Sequence, residues 1–351
     1  MVSALYRRHS AGLAATYADL ENQALNQREV FVGTPGTVTL RENATGARFY
    51  VRQYYDYEGR KRDQYLSGSA DAPDTLVLVD EWRSRIESAK DVHRMVRLLA
   101  REGYATLTPK HIAALAPLAR HGVFEAGAVL IGTHAFEVIV NRLGIRAESF
   151  ATQDVDIARA AKLALEDVPA GGLLEMLRES GIDFVEALRL NHGEPATRFM
   201  ERTRSRFTLD LLVPAAGDKV RIQAVPELKA HATALPYLRY LLGETQTGAA
   251  MSNHGVVAVR VPVAERFAVH KLLVSQLRIG RPEKSLKDRR QAAILIAALG
   301  ELHPGAIESA FDATPVSSRK NIRKSIDQIS ELLAPHPRAL EEIARVSAGK
   351  R

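Results

Sequence analysis

The chain has 351 residues, 46% of them hydrophobic and 25% charged, with no cysteine and a net charge of +7. That length exceeds what one hydrophobic core usually organises, so two or three domains are expected, and the missing cysteines exclude disulfides, thiolate metal sites and cysteine nucleophiles. No stretch offers the roughly 18 uncharged apolar residues of a membrane span, and residues 1–20 lack the unbroken apolar core of a signal peptide, so the expectation is a soluble, cytoplasmic chain whose basic excess suits a polyanionic partner.

The first region, 1–120, opens with a helical stretch to about residue 30 and a Gly/Pro turn at Gly33, Pro35 and Gly36. From Gly46 the residues Phe49, Val51 and Tyr55 mix with polar neighbours, and Tyr57-Glu58-Gly59-Arg60 supplies a turn before 62–66, which reads as a β-hairpin. Tyr50, Tyr54, Tyr55, Tyr57 and Tyr65 stand there among Arg52, Arg60, Lys61 and Arg62. Such a ribbon can stack bases and hold phosphates, but tyrosine also favours strands for packing alone, and packing is the preferred reading. Two helices follow, 92–101 ended by Gly103, and 109–120 with Thr108 as cap, Pro109 in the first turn and Gly122 as stop.

The second region, 121–262, alternates strands and helices: strand 128–131, helix 133–143 closed by Gly144, strand 154–158, helix 169–180, and strands 207–213, 220–225 and 256–261. This argues for an α/β (α+β) core with a mixed sheet. The third region, 263–351, reads as helical, at 264–278, 286–299, 304–312 and 317–333.

The chemistry concentrates where strand 128–131 runs through Gly132-Thr133 directly into a helix. A helix N-terminus leaves its first N–H groups unpaired and attracts anions, and glycine lets a phosphate come close to the backbone. Gly132→Val is therefore expected to weaken phosphate binding with little loss of stability. Downstream, Asp154 and Asp156 lie two apart on a short strand, on the same side, with Val155 and Ile157 turned the other way. Two such carboxylates repel unless a cation lies between them, and Mg²⁺ is a natural candidate. Asp210 then sits alone among apolar neighbours in 207–213, where its charge needs a metal or a cationic partner such as Arg204 or Arg206. A common metal position requires Asp210 on the same face of the sheet as Asp154. His134 and His270 lack ligand spacing and read as packing or solvated residues.

At these residues the sequence resembles the minimal nucleotidyltransferases of the polymerase-beta-like superfamily, with an apolar strand ending in Gly-Thr, an Asp-x-Asp strand and a third Asp on a later strand. The wide spacing from Thr133 to Asp154 is similar to that in the abortive-infection nucleotidyltransferase toxins, with Thr152 at their Ser position and Ile131 in place of their first Gly. The likeness covers about 121–295 and takes in a helical Lys271, then Arg278, then Lys287-Asp288 ahead of a helix, while Gln291 stands where the toxins often have a second Asp. The resemblance implies a nucleotidyltransferase-fold mixed sheet with flanking helices, Mg²⁺ held by Asp154, Asp156 and Asp210, and Gly132, Thr133, Lys271, Arg278 and Lys287 binding ATP or another nucleoside triphosphate. The implied reaction moves a nucleoside monophosphate to a hydroxyl of RNA (including tRNA), a protein or a small molecule, releasing pyrophosphate. Two alternatives stand beside it: a non-catalytic nucleotide- or RNA-binding module, and a toxin neutralised by an antitoxin-type partner.

Overall fold

A computed structural model describes residues 3–27, 30–66, 69–187, 193–203, 206–278 and 280–348. Its centre is a seven-stranded mixed sheet built from β1 (Ala128–Ile131), β2 (Asp154–Arg159), β3 (Phe184–Glu186), β4 (Arg198–Glu201), β5 (Thr208–Pro214), β6 (Arg221–Val225) and β7 (Ala230–Leu235). The order is β6-β7-β5-β2-β1, with β5 parallel to both β7 and β2 and the outer pairs antiparallel. One edge of β5 is shared, since β4 pairs with residues 208–210 and β7 with 212–214, while β3 extends the sheet beyond β4. The fold class is the mixed α/β arrangement that the strand and helix alternation predicts.

Four helices bear on the site: α1 (Pro109–Arg120), just ahead of β1, and α2 (Gly132–Arg142), α3 (Ala264–Leu277) and α4 (Pro282–Leu302), which contribute residues to the cleft beside the sheet. The first keeps the predicted bounds because Thr108 accepts from the His111 N–H and Pro109 occupies the first turn, where no N–H is needed. The helix α4 buries every residue from Gln291 to Gly300, so its second half is a core helix, apolar all round except Gln291. One hydrophobic core runs without a break from Leu107 through the sheet and α2 into the C-terminal helices.

The N-terminal part differs from expectation in extent. The hairpin is a three-stranded antiparallel meander of Thr37–Glu42, Arg48–Tyr55 and Lys61–Tyr65, because 37–42, with only weak alternation, completes it. The helix read at 92–101 is Pro73–Arg101, a 29-residue element. Its first two turns carry a run of adjacent apolar residues, Leu76, Val77 and Leu78, that hides the helical period, and Leu76 and Val77 stay exposed. The first helix ends at Asn26, the helix predicted at 169–180 shrinks to Gly172–Arg178, and 245–262 folds as a hairpin whose first strand, Thr245–Ser252, is Gly- and Ala-rich. A further helix, Pro337–Ala348, lies beyond the predicted ones.

Within the meander Arg52 is buried, donates to the Pro35 and Thr34 carbonyls and to Gln64, and lies over the rings of Phe31 and Tyr54. That cation is committed to packing.

Candidate functional site

The pairing register sets the site. Asp156 is the Cα partner of Asp210 in the parallel β2–β5 pair, and Asp154 is the partner of Thr208. Laterally paired residues of a parallel ladder point to the same side, so Asp154, Asp156 and Asp210 share one face, while Val155, Ile157, Leu209 and Leu211 fill the other and are buried. On the far side of β5, Asp210 is paired with Arg198 of β4; on the near side, Asp156 is paired with Ile131 at the end of β1. A row Asp156, Asp210, Arg198 thus crosses three strands, with Gly132 one step beyond Ile131.

That row explains the glycine. Gly132 has φ +72°, and a Cβ there would overlap the Asp156 carboxylate. The chain can therefore turn from β1 into α2 against Asp156 only without a side chain. This corrects the expectation for Gly132→Val: both the left-handed backbone and the carboxylate oppose any side chain, so stability suffers as well as binding. The α2 N-terminus has no side-chain cap, and Gly132 and Thr133 open onto a cleft of about 490 Å³.

Seven of the eight predicted site residues line this cleft: Gly132, Thr133, Asp154, Asp156, Lys271, Arg278 and Lys287. The eighth, Asp210, lies beside Asp156 in the next strand. The cations approach from α3 and α4. Lys271 of α3 and Arg278, the residue that ends α3, both bind Asp288 of α4, Nζ to Oδ1 at 2.7 Å and Nε to Oδ2 at 2.7 Å. Burial alone would raise the Asp288 carboxyl, but Lys271 and Arg278 outweigh it and hold it below its ordinary range. The Asp288 side chain is only 3% exposed and that of Lys271 9%, so this is a buried, hydrogen-bonded charge cluster. Lys287 donates to the Ala151 carbonyl at 3.2 Å, and its burial next to Lys271 lowers its pKa.

Three contributors went unnoticed in the sequence, and a fourth was seen without its role. Arg198 donates to both oxygens of Asp210, at 2.6 and 2.7 Å, and its hydrogen bonds to Asp210 raise its own pKa. Asp210 therefore pairs with Arg198 rather than Arg206, which lines the cleft; Arg204 lies outside the described residues. Thr208 donates to Asp154 Oδ1 at 3.0 Å, and Lys284 stands 3.8 Å from Asp154 Oδ2. Asp288 was visible as one half of Lys287-Asp288, but its position beneath two cations needed the α3–α4 packing. Of the two histidines set aside, His134 is buried and bonded through Nδ1 to Glu137, and burial pushes His270 down to about 3.

The electrostatics among the carboxylates are frustrated. Burial, then Asp210, then Asp154 push the Asp156 carboxyl up to about 6. Among the described residues no group of three His, Asp or Glu side chains is gathered as a ready metal cage, and Asp210 has both oxygens on Arg198. In donor chemistry the residues nevertheless fit a hard divalent cation: three carboxylates on one face, one of them driven towards protonation by the other two. The Arg198 side chain is half exposed, and a pair of that kind contributes only on the order of 1 kcal/mol, a small barrier to exchanging the arginine for a metal ion.

Two stability measurements follow. The raised Asp156 carboxyl binds its proton more tightly in the folded than in the unfolded chain, so the site favours folding at acid pH, and that contribution is lost as pH rises from about 4 through 6. Asp156→Asn should therefore stabilise the metal-free protein near neutral pH by on the order of 2 kcal/mol and flatten that part of the pH profile in urea unfolding. Equal or lower stability of the variant would show that Asp156 is compensated by a partner. By contrast, Asp288→Asn leaves Lys271 buried without its counter-charge and should cost about 3 kcal/mol in the same assay.

Comparison with known proteins bears on the same stretch. A family model described as nucleotidyltransferase matches residues 110–314, from α1 through all seven strands of the central sheet to beyond α4. Searches of curated proteins and of solved structures returned no match. The matched stretch is more than half of the chain and contains every residue of the cleft just described, and the chain accordingly belongs to the nucleotidyltransferase family.

Proposed function

We propose that the protein transfers a nucleoside monophosphate from a nucleoside triphosphate to an acceptor hydroxyl, in the manner of the polymerase-beta-like enzymes, with release of pyrophosphate. The single observation that carries this reading is one cleft lined by both charges. Carboxylates of β2, with the open α2 N-terminus against Asp156, share it with the basic Lys271, Arg278 and Lys287 contributed by α3 and α4. A triphosphate is the small ligand whose anionic tail suits the basic side chains and whose α-phosphate would then lie towards the acids.

In this reading the α2 amides at Gly132 and Thr133 and the Lys271 and Arg278 side chains bind phosphate oxygens, with Asp288 holding both cations in place. Thr208 and Lys284 orient Asp154. Asp210, once Arg198 yields it, is the group placed to take the proton of the attacking hydroxyl. Asp154 and Asp156, with Asp210, would hold Mg²⁺, which when bound would neutralise the phosphates and stabilise charge at the reacting phosphorus. Little covalent chemistry is asked of the side chains, whose work is positioning and charge compensation.

The deciding experiment incubates the protein with each α-labelled nucleoside triphosphate, Mg²⁺ and either total RNA or cell lysate, and looks for a labelled acceptor. Transfer that falls to background in Asp154→Asn and Asp156→Asn, although both variants stay folded, is the expected result. Triphosphate-dependent stabilisation without any transfer would make the protein a nucleotide-binding module instead. Melting that ignores both Mg²⁺ and nucleotide would sink the metal-binding reading of the carboxylates.

A further inference from the structure

A second cleft, of about 540 Å³, opens beside the first and takes its charge from Arg7, Arg146 and Arg290. Arg7 and Arg146 are direct partners in the antiparallel ribbon that Tyr6–Arg8 forms with Ile145–Ala147. Their side chains therefore leave the same face from Cα atoms about 5 Å apart. Like charges opposed in this way destabilise a ribbon unless an anion lies between them. Among the described residues neither arginine has an ion-pair partner, and both are exposed. The short strand that carries Arg7 is nonetheless pinned: the Leu5 N–H donates to His336 Nε2 at 3.1 Å, and the Tyr6 ring stacks on the His336 ring. The pinned ribbon thus presents two like charges to the second cleft from fixed backbone positions, the Arg146 side chain lying against Gly103.

The two clefts share their walls. On α4, Lys284 and Lys287 face the nucleotide cleft, and Arg290, one turn further on, faces the second. Opposite them one segment runs past both: Arg146 to Glu148 line the second cleft and Ala151 to Asp154 the first. Lys287 and Arg290 each tie α4 to that segment, through the Ala151 carbonyl and the Glu148 carboxylate. The basic groups Arg290, Lys287 and Lys284 thus form a line about 9 Å long on the helix, leading from the opposed arginines towards the carboxylates.

We propose that this groove docks a single-stranded polynucleotide and delivers its terminal hydroxyl to the nucleotide cleft. The proposal rests on the transferase reading above and names the acceptor class. Successive phosphates would be held by Arg7 with Arg146, then by Arg290, whose pairing with Glu148 is half exposed and easily exchanged. The terminal hydroxyl oxygen would form a new bond to the α-phosphorus of the triphosphate as the α–β bridging P–O bond breaks. The electron pair of that bond leaves with pyrophosphate, and the hydroxyl proton passes to Asp210.

The test uses the full chain. Binding of a short fluorescein-labelled RNA, and of a DNA of the same sequence, is followed by anisotropy over a range of salt concentrations, for wild type, Arg7→Glu/Arg146→Glu and the milder Arg7→Gln/Arg146→Gln. In parallel, the rise in melting temperature on adding triphosphate and Mg²⁺ is recorded for each protein. The charge-reversed pair should lose tenfold or more in oligonucleotide affinity, and the neutral pair should lower the logarithmic salt slope by roughly 1.4, two phosphate contacts on a single strand. The triphosphate response should not change. Oligonucleotide binding that is absent in wild type, or equal in all three proteins, overturns the groove. A missing triphosphate response in wild type would be a failure of the nucleotide cleft itself and is read separately in the melting arm.

Discussion

The crowding of negative charge on one face of the β2–β5 pair is the constraint from which the rest of the site follows. Parallel pairing of Asp156 with Asp210, with Asp154 two residues along, gathers three carboxylates on one face, where burial and both neighbours push the Asp156 carboxyl up. Each neighbouring feature answers that charge. Gly132 gives up a side chain so that β1 can turn against Asp156, Arg198 lies across Asp210, and Thr208 and Lys284 attend Asp154. A sheet built for stability alone would place apolar residues at such positions, and a strongly perturbed carboxylate lining a cleft marks a candidate functional site.

The basic wall of the cleft solves a different problem. Lysine and arginine that are to hold phosphates must point inwards before the ligand arrives, and buried cations are costly without counter-charge. Asp288 supplies it, in hydrogen-bonded contact with both Lys271 and Arg278, and the α3–α4 packing keeps all three fixed. Binding a triphosphate there would add anionic oxygens to cations already in position, which spares the ordering cost that flexible side chains would incur.

Much of this could be read along the chain, and what could not has identifiable causes. The Gly-Thr junction, the Asp-x-Asp strand and the lone Asp210 are local signals, each visible in a few residues with the apolar alternation around them. Lys271 and Arg278 entered only through the resemblance, since their helical spacing alone fits a solvated face equally well. Arg198 was missed because its relation to Asp210 comes from the pairing of β4 with β5, across a segment whose short strands show no clear period. Asp288 was seen only as the neighbour of Lys287, since its role depends on which way α4 faces α3. The Pro73–Arg101 helix was half lost because adjacent apolar residues, some of them exposed, blur the period on which the reading depends. Long-range pairing and exposed apolar residues are what a single sequence conceals.

The Lys271–Asp288–Arg278 cluster has one more consequence. Its members lie on α3 and α4, both C-terminal to the last strand of the molecule, whereas the carboxylates belong to strands laid down earlier. The acidic half of the cleft and the basic half are therefore contributed by different stretches of chain, welded by one continuous core. As the chain leaves the ribosome, the carboxylates emerge before any of these cations, so on the proposed reading competence to hold a triphosphate would arrive only with α3 and α4. A chain cut short before α3 would carry the charge repulsion of the carboxylates without the cations that share their cleft.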